Sequence, residues 1–298
     1  MVNPRIVAIF GATGTQGSAV IDGLLQDGTF SVRAITRNPE GSAAKALQDR
    51  GVEVVKGDLE EPASLIPALE GSECVYAVTL PYFNKTSEYE MGKNVVDASK
   101  AVGVKFFVWS SLPSASKLSK GKYTQVHHFD QKAAVDGYLA TSGVPFATVQ
   151  TGYYLENAWR LKNLIKTESG YEMRVAVFPP NVPQVFTWVA KDLGPAVTAL
   201  MTQYNTRPED IMSQNFVVAT ARISYQQLAD TYSKGLGVPV KLVSLPTTGR
   251  QPVDDMLKME SEFGIFNEVQ TFPDPKLVKL GVRLEPFENF TEVVKTRL

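Results

Sequence analysis

The chain has 298 residues, with 30 Lys and Arg against 31 Asp and Glu, a formal net charge of −1, and 44% hydrophobic and 20% charged residues. That length suits a doubly wound domain with a smaller appended lobe, and the composition is that of an ordinary globular protein. So small a charge supplies no basic field, so neither direct nucleic-acid binding nor an acidic membrane surface is expected.

The first half alternates short apolar runs with helical patterns. Strands are predicted at Ile6–Phe10, Ser31–Ile35, Glu53–Lys56, Cys74–Val78, Phe106–Trp109 and Phe146–Val149. Each is bounded by Gly, Pro or Ser and rich in Val, Ile or Phe, as strands covered on both faces are. Ala19, Val20, Gly23 and Leu24 make the apolar side of a first helix. Met91, Val95, Ala98 and Val102 make a stripe at helical spacing that Gly103 ends. Six such alternations predict an α/β fold, a doubly wound parallel Rossmann-type sheet with helices on both faces. After about Thr151 the connections lengthen and prolines multiply. Helices are expected at Asp192–Met201 and Ser224–Leu236, the latter opened by the capping pattern Ser224-x-x-Gln227. Strands are expected at Val175–Phe178, Phe216–Ala219 and Val240–Val243. The reading is a Rossmann domain over residues 1–151 and a smaller C-terminal α/β lobe over 152–298, with a soft boundary because the elements interleave.

Cys74 is the only cysteine, so an intrachain disulfide is excluded, and its apolar neighbours make it a core residue. One cysteine with His127 and His128 does not make a zinc cluster, and no metal is expected. The first apolar run lacks a basic lead-in and enters a glycine turn at once, so it reads as a strand and not as a signal peptide. No apolar stretch approaches membrane-spanning length. A cytoplasmic protein is expected, with the nucleus open as a second location.

The strongest motif is Gly11-Ala12-Thr13-Gly14-Thr15-Gln16-Gly17, between the first strand and the first helix. In that context Gly11 permits a tight turn, Gly14 lets backbone approach a pyrophosphate, and Gly17 lets helix and strand pack closely. Free N–H groups at the helix start then face the phosphates. The second strand runs into Thr36-Arg37-Asn38-Pro39, with no acid to accept from a ribose 2′-hydroxyl. A guanidinium at Arg37 can pair with a 2′-phosphate, which points to NADP(H) over NAD(H). Asp58 after the third strand could accept from an adenine amine, and Thr79-Leu80-Pro81 after the fourth could pass the nicotinamide ribose; ordinary loop chemistry explains either as well.

The glycine turn, Thr36-Arg37-Asn38-Pro39, Gly57-Asp58, Phe129-x-x-Lys132 and Tyr154-Leu155-Glu156-Asn157 together resemble the NmrA-like family, atypical members of the short-chain dehydrogenase/reductase superfamily. The resemblance runs over most of the chain. It is nearest to the NADP(H)-sensing branch, which includes the fungal nitrogen-repression regulator and its animal relatives. It implies that Gly11 to Gly17 hold the pyrophosphate and that Arg37, beside Asn38, holds the 2′-phosphate. It implies Asp58 and Leu59 at the adenine and Thr79, Leu80 and Pro81 at the nicotinamide ribose. Lys132 is implied at the ribose hydroxyls, and Tyr154, Leu155, Glu156 and Asn157 along the nicotinamide. Asn157 also reads plainly as a residue that fixes the start of a helix.

Short-chain dehydrogenases carry Tyr-x-x-x-Lys, whose spacing puts phenol and ammonium on one helix face. Here that segment is His128-Phe129-Asp130-Gln131-Lys132, with histidine in place of tyrosine. Ser111 could take the place of the superfamily serine or merely cap local backbone. Histidine can itself act as an acid, and isoflavone-reductase-like relatives work with a lysine and no such tyrosine. His128 and Lys132 are therefore the candidate catalytic residues, and Tyr123, nine positions before Lys132, receives no role. The leading expectation is an NADP(H) sensor that reports to a regulatory protein partner and shows little dehydrogenase activity. The alternative is an NADPH-dependent reductase of a small carbonyl or quinone compound.

Overall fold

The computed structural model describes residues 5–82 and 84–298. Among them the first half comprises β1 (Ile6–Ile9), α1 (Thr15–Asp27), β2 (Ser31–Thr36), α2 (Ser42–Gln48), β3 (Glu53–Lys56), α3 (Pro62–Leu69), β4 (Ser72–Ala77), α4 (Glu88–Ala101), β5 (Phe106–Ser111), α5 (Ala115–Leu118), α6 (His127–Ser142) and β6 (Phe146–Thr151). The second half adds β7 (Tyr153–Tyr154), α7 (Asn157–Arg160), β8 (Leu164–Thr167), β9 (Gly170–Ala176), β10 (Pro183–Thr187), α8 (Val189–Gln203), α9 (Pro208–Ile211), β11 (Asn215–Val218) and β12 (Ala221–Ser224). It ends with α10 (Tyr225–Leu236), β13 (Val240–Leu245), α11 (Gln251–Phe263), α12 (Pro275–Lys279) and α13 (Phe290–Arg297).

The main sheet has the order β11-β6-β5-β4-β1-β2-β3, parallel throughout. Chain order reverses between β1 and β4, so their carboxyl ends open the crevice where a doubly wound sheet receives its ligand. Along β1 the side chains alternate with period two. Val7 and Ile9 pack with α1 and α8 through Leu24, Leu193 and Val197, while Ala8 and Phe10 pack with α3, α4 and α6 through Leu65, Val95 and Val135. Cys74 lies fully buried on the first of these faces, and burial pushes its thiol well above the ordinary range.

The smaller lobe carries two three-stranded sheets, β12-β10-β7 and β13-β9-β8. Its core gathers Leu155, Phe186, Trp188, Tyr225, Tyr232 and Phe290. The Ser224 capping box is present in full, with Ser224 Oγ accepting from Gln227 N and Gln227 Oε1 from Ser224 N.

Two expectations for this half are corrected. The strand expected at Val175–Phe178 begins instead at Gly170 and stops at Ala176, because Val177 turns to a φ of 50° that no strand continues through. The strand expected within the lobe at Phe216–Ala219 is β11, which pairs with β6 as the seventh strand of the main sheet. Phe216, Val217 and Val218 are all buried, so both sides of that strand need cover, which the main sheet and its helix layers provide. The chain thus leaves the main sheet after β6, returns through α8 and β11, and leaves again.

Candidate functional site

The glycine turn closes by backbone. Gly11 takes a φ of +66°, and Gly14 N donates to Gly11 O at 2.9 Å. A Cβ on Gly17 would lie 2.2 Å from Gly11 O and 2.7 Å from Ala12 Cα, so only glycine lets α1 start this close to β1. Gly14 caps α1 without a side-chain bond, and the first turn holds no acid. The start of α1 therefore offers amide donors and an uncompensated positive dipole end, as an anionic pyrophosphate requires. Thr13 is exposed and Ala12 buried. Gln16 turns inward: its Oε1 accepts from Tyr76 Oη (2.5 Å) and Ser110 Oγ (2.7 Å), and its Nε2 donates to Tyr154 Oη (2.6 Å). The side chain expected among the phosphate contacts thus ties the turn to β4, β5 and β7.

Arg37 is exposed at the tip of β2, with one long contact among the described residues, from Nη1 to Asn84 Oδ1 (3.4 Å). Asn38 N donates to Thr36 Oγ1, which sets the turn after the strand. Asp58 shapes its own loop, Oδ1 accepting from Glu60 N (3.0 Å) and its amide donating to Ser64 Oγ (2.9 Å). Leu59 O accepts from Asn94 Nδ2. Glu60 accepts from the amides of Thr86 and Lys85, which with Arg37 nearby hold its carboxyl below the usual range.

At the end of β4 a buried polar cluster forms. Lys132 of α6 is 5% exposed and Glu88, the first residue of α4, is 4% exposed, so both charges have left water. Lys132 Nζ lies 2.8 Å from Glu88 Oε2, 2.8 Å from Thr79 Oγ1 and 3.0 Å from Thr79 O. These three contacts match the three protons of an ammonium. Thr79 Oγ1 also donates to Glu88 Oε2 at 2.5 Å, while Glu88 Oε1 is buried without a partner among the described residues. Burial pushes the Lys132 ammonium down, and Glu88 opposes that shift. Asp136, one helical turn on, accepts from Ser111 Oγ at 2.7 Å, and burial raises its carboxyl to about 7. Ser111 thus points at α6 from the end of β5, leaving its other role unassigned.

His128, one turn before Lys132, faces the same loop. Its Nδ1 and the Tyr82 hydroxyl share a hydrogen bond at 2.8 Å, and its ring meets Phe129 edge-on. Burial first, then the Lys132 charge, lowers its pKa to about 4, so the imidazole is neutral at neutral pH. Tyr82 takes a φ of 71° and is 44% exposed, beside Leu80 at 58%. From the smaller lobe, the Arg250 guanidinium sits 4.9 Å from the Tyr82 ring centroid.

Of the segment Tyr154–Asn157, only Tyr154 reaches the glycine turn, through Gln16. Leu155 is buried in the lobe core. Glu156 accepts from Ala190 N (2.9 Å) and Val189 N (3.3 Å) and so caps α8. Asn157 is buried and opens α7. Sequence reasoning missed Glu88, Tyr82 and Arg250. A carboxylate in a first helical turn reads as a solvated dipole partner, and nothing local says that Glu88 is buried. For Tyr82, a phenol within the apolar run Leu80-Pro81-Tyr82-Phe83 after the fourth strand was the available signal.

A doubly wound parallel sheet with an open, acid-free helix start behind a glycine turn, and a buried lysine beside the neighbouring strand end, defines a Rossmann-type α/β protein. The chain belongs to the NmrA-like family, whose model matches residues 4–294. It is 37% identical over 164 residues to an NmrA-like family domain-containing oxidoreductase of Aspergillus versicolor, covering 52% of this chain and 45% of that protein. The chain spans less than half the length of the first curated relatives it matches. Its fold is shared with NmrA, a negative transcriptional regulator solved in complex with NADP (TM-score 0.81, 21% identity, 99% of this chain and 98% of that one). It is shared too with an NADPH-dependent quinone oxidoreductase of Escherichia coli solved with NADPH (TM-score 0.74, 24% identity, 97% and 99%).

Proposed function

We propose that this protein binds NADP(H) at the carboxyl ends of β1, β2 and β4 and is an NADPH-dependent reductase of small carbonyl or quinone compounds, built without the Tyr-x-x-x-Lys pair. The glycine turn fits a pyrophosphate, since a Cβ at Gly17 would fill the place where α1 begins. Arg37 is free to meet a 2′-phosphate, and Asp58, Leu59, Thr79, Leu80 and Pro81 line the path from adenine to nicotinamide. When bound, the cofactor supplies hydride chemistry; the chain's own part is to orient it and to manage a proton. The observation that carries this reading is the pairing of a neutral His128 with a tyrosine hydroxyl, one turn from Lys132. Relatives named oxidoreductases and the quinone oxidoreductase of the same fold support the reductase part, and both cofactor-bound structures support the NADP(H) part. NADPH oxidation followed by absorbance over a panel of aldehydes, ketones and quinones tests it. Turnover with none of them would sink the reductase and leave only binding.

The sensor reading, in which the protein reports its NADP(H) state to a regulatory protein, is favoured by one observation. The ammonium protons of Lys132 are all engaged by Thr79 and Glu88, so the lysine is not free to meet ribose hydroxyls until that cluster rearranges. Such a rearrangement on binding would give the two forms of the protein different surfaces, and a partner could respond only to that difference. A pull-down that retrieves the same partners with NADP⁺, with NADPH and with neither would count against it.

A further inference from the structure

Resting on the reductase reading, we infer that Tyr82 supplies the phenol that the helix lacks, so that Tyr82 and His128 together form the proton donor for an uncharged, flat aromatic carbonyl compound. In the Tyr-x-x-x-Lys arrangement the phenol and the ammonium come from one helix face. Here α6 contributes Lys132 and an imidazole, and the loop after β4 brings a tyrosine hydroxyl onto that imidazole at 2.8 Å. The hydroxyl is thereby fixed beside the position the missing tyrosine would fill, while its ring remains reachable from solvent, being 44% exposed.

Three observations give the ligand class. Leu80 and Tyr82 are both exposed large apolar side chains on one short loop, directly after the Thr79 that holds Lys132. Such a pair offers a flat ligand an apolar face at the mouth of the crevice. Arg250 over the Tyr82 ring adds a cation, and Lys132 adds another behind His128. The Arg250 charge favours negative charge on the Tyr82 oxygen or on a carbonyl oxygen beside it, and the Glu88 charge opposes it there. Tyr82 holds a left-handed φ of 71° while bonded to His128 and stacked under Arg250, so contacts from both lobes fix it there.

The carbonyl carbon gains a hydride from NADPH, the C=O π pair moves onto oxygen, and that oxygen takes the Tyr82 proton. His128 passes its Nδ1 proton to the phenolate while Nε2 takes up the one proton the reduction consumes from bulk solvent, and exchange with solvent returns the neutral imidazole to its Nδ1–H tautomer before the next turnover. Burial keeps both groups in the forms this needs, since Tyr82 is held above the ordinary phenol range and His128 is neutral.

The test is Tyr82→Phe, which keeps the ring under Arg250 and removes only the oxygen. Phenanthrenequinone and para-nitrobenzaldehyde serve as oxidising probes, with NADPH affinity measured by calorimetry. In the cofactor-free protein, histidine ¹⁵N resonances report the pair directly. Expected are a fall in turnover on the order of a hundredfold, NADPH affinity within about twofold of wild type, and a shifted His128 Nδ1 resonance. An active wild type whose Tyr82→Phe variant keeps its rate overturns the inference and leaves the reductase reading standing. A wild type inactive on both probes and on the wider panel overturns both. An unmoved Nδ1 resonance overturns the Tyr82–His128 pair whatever the rates.

Discussion

Between Gly11 and Gly17 the turn closes through backbone, its closing contacts running between atoms six positions apart or fewer, and Gln16 alone reaches out by its side chain to β4, β5 and β7. The cluster beside it draws Thr79, Glu88, His128 and Lys132 from the end of β4, the start of α4 and the first turns of α6, with Lys132 and Thr79 separated by 53 positions. The first depends on the absence of side-chain atoms and the second on charges that complete one another out of water. A turn of the first kind tolerates any surroundings that leave it room. A cluster of the second kind fails when one member is removed and survives when the members are replaced together.

The cluster should therefore give the largest effect. Lys132→Met leaves Glu88 buried beside no cation, at a cost of about 3–5 kcal/mol. Adding Glu88→Gln to the same chain should recover more than half of that loss in urea unfolding. A single variant within about 1 kcal/mol of wild type would mean that water reaches the pair and that it is worth no more than a surface bridge.

The turn should break next. Gly17→Ala puts a methyl 2.2 Å from Gly11 O, against backbone that cannot swing aside. Overpacking of this kind costs about 3 kcal/mol, and cofactor binding should fall with it. Gly14→Ala is the control, since its Cβ would stand 3.2 Å from the same oxygen. Equal stability losses for the two would show that close approach at Gly17 is not what the glycine is for.

These contrasts also explain what could be read from the chain. Apolar period and glycine placement are local, so the strands of the first half and the turn were legible, as was the capping box at Ser224. The place of β11 was not, because Phe216 to Val218 looks the same whether it joins a small sheet or the large one; only the partner decides. Gln16 was placed at phosphate, yet Tyr76, Ser110 and Tyr154 claim it, and those residues lie up to 138 positions away. His128 and Lys132 were found through their spacing on α6. Tyr82 and Glu88 complete their surroundings from another segment, which no spacing within a helix can announce.

Arg37 extends the turn's logic to charge. It stands at the strand tip, and among the described residues its hydrogen bonding is the 3.4 Å contact to Asn84, so little of its own bonding must be given up. Arg37→Ala should remove about 1.5–3 kcal/mol of NADP(H) binding, roughly ten- to a hundredfold in affinity, and leave NAD(H) nearly unchanged. Calorimetry with both cofactors decides it. Equal losses for the two would mean that Arg37 does not read the phosphate.

The smallest effect belongs to the pH response of the cluster's rim. His128 has a folded pKa of about 4 against an ordinary 6.5. Between those values the unfolded chain takes up a proton that the folded chain refuses, so the His128 contribution is intact above pH 6.5 and is lost as pH falls toward 4. Asp136, Asp192 and Glu260 act with the opposite sign. Burial raises each to about 7, so over the same window the folded state binds the extra protons and gains stability as pH falls. The wild-type profile is thus a sum in which His128 is masked, and only a difference exposes it. His128→Asn, which keeps a polar atom near Nδ1, should leave the carboxyls in place and remove the histidine's share. Its thermal midpoint relative to wild type should then improve by a few degrees on moving from pH 7 to pH 5. Parallel midpoints at the two values would mean that His128 titrates alike folded and unfolded, and that neither burial nor Lys132 holds it neutral.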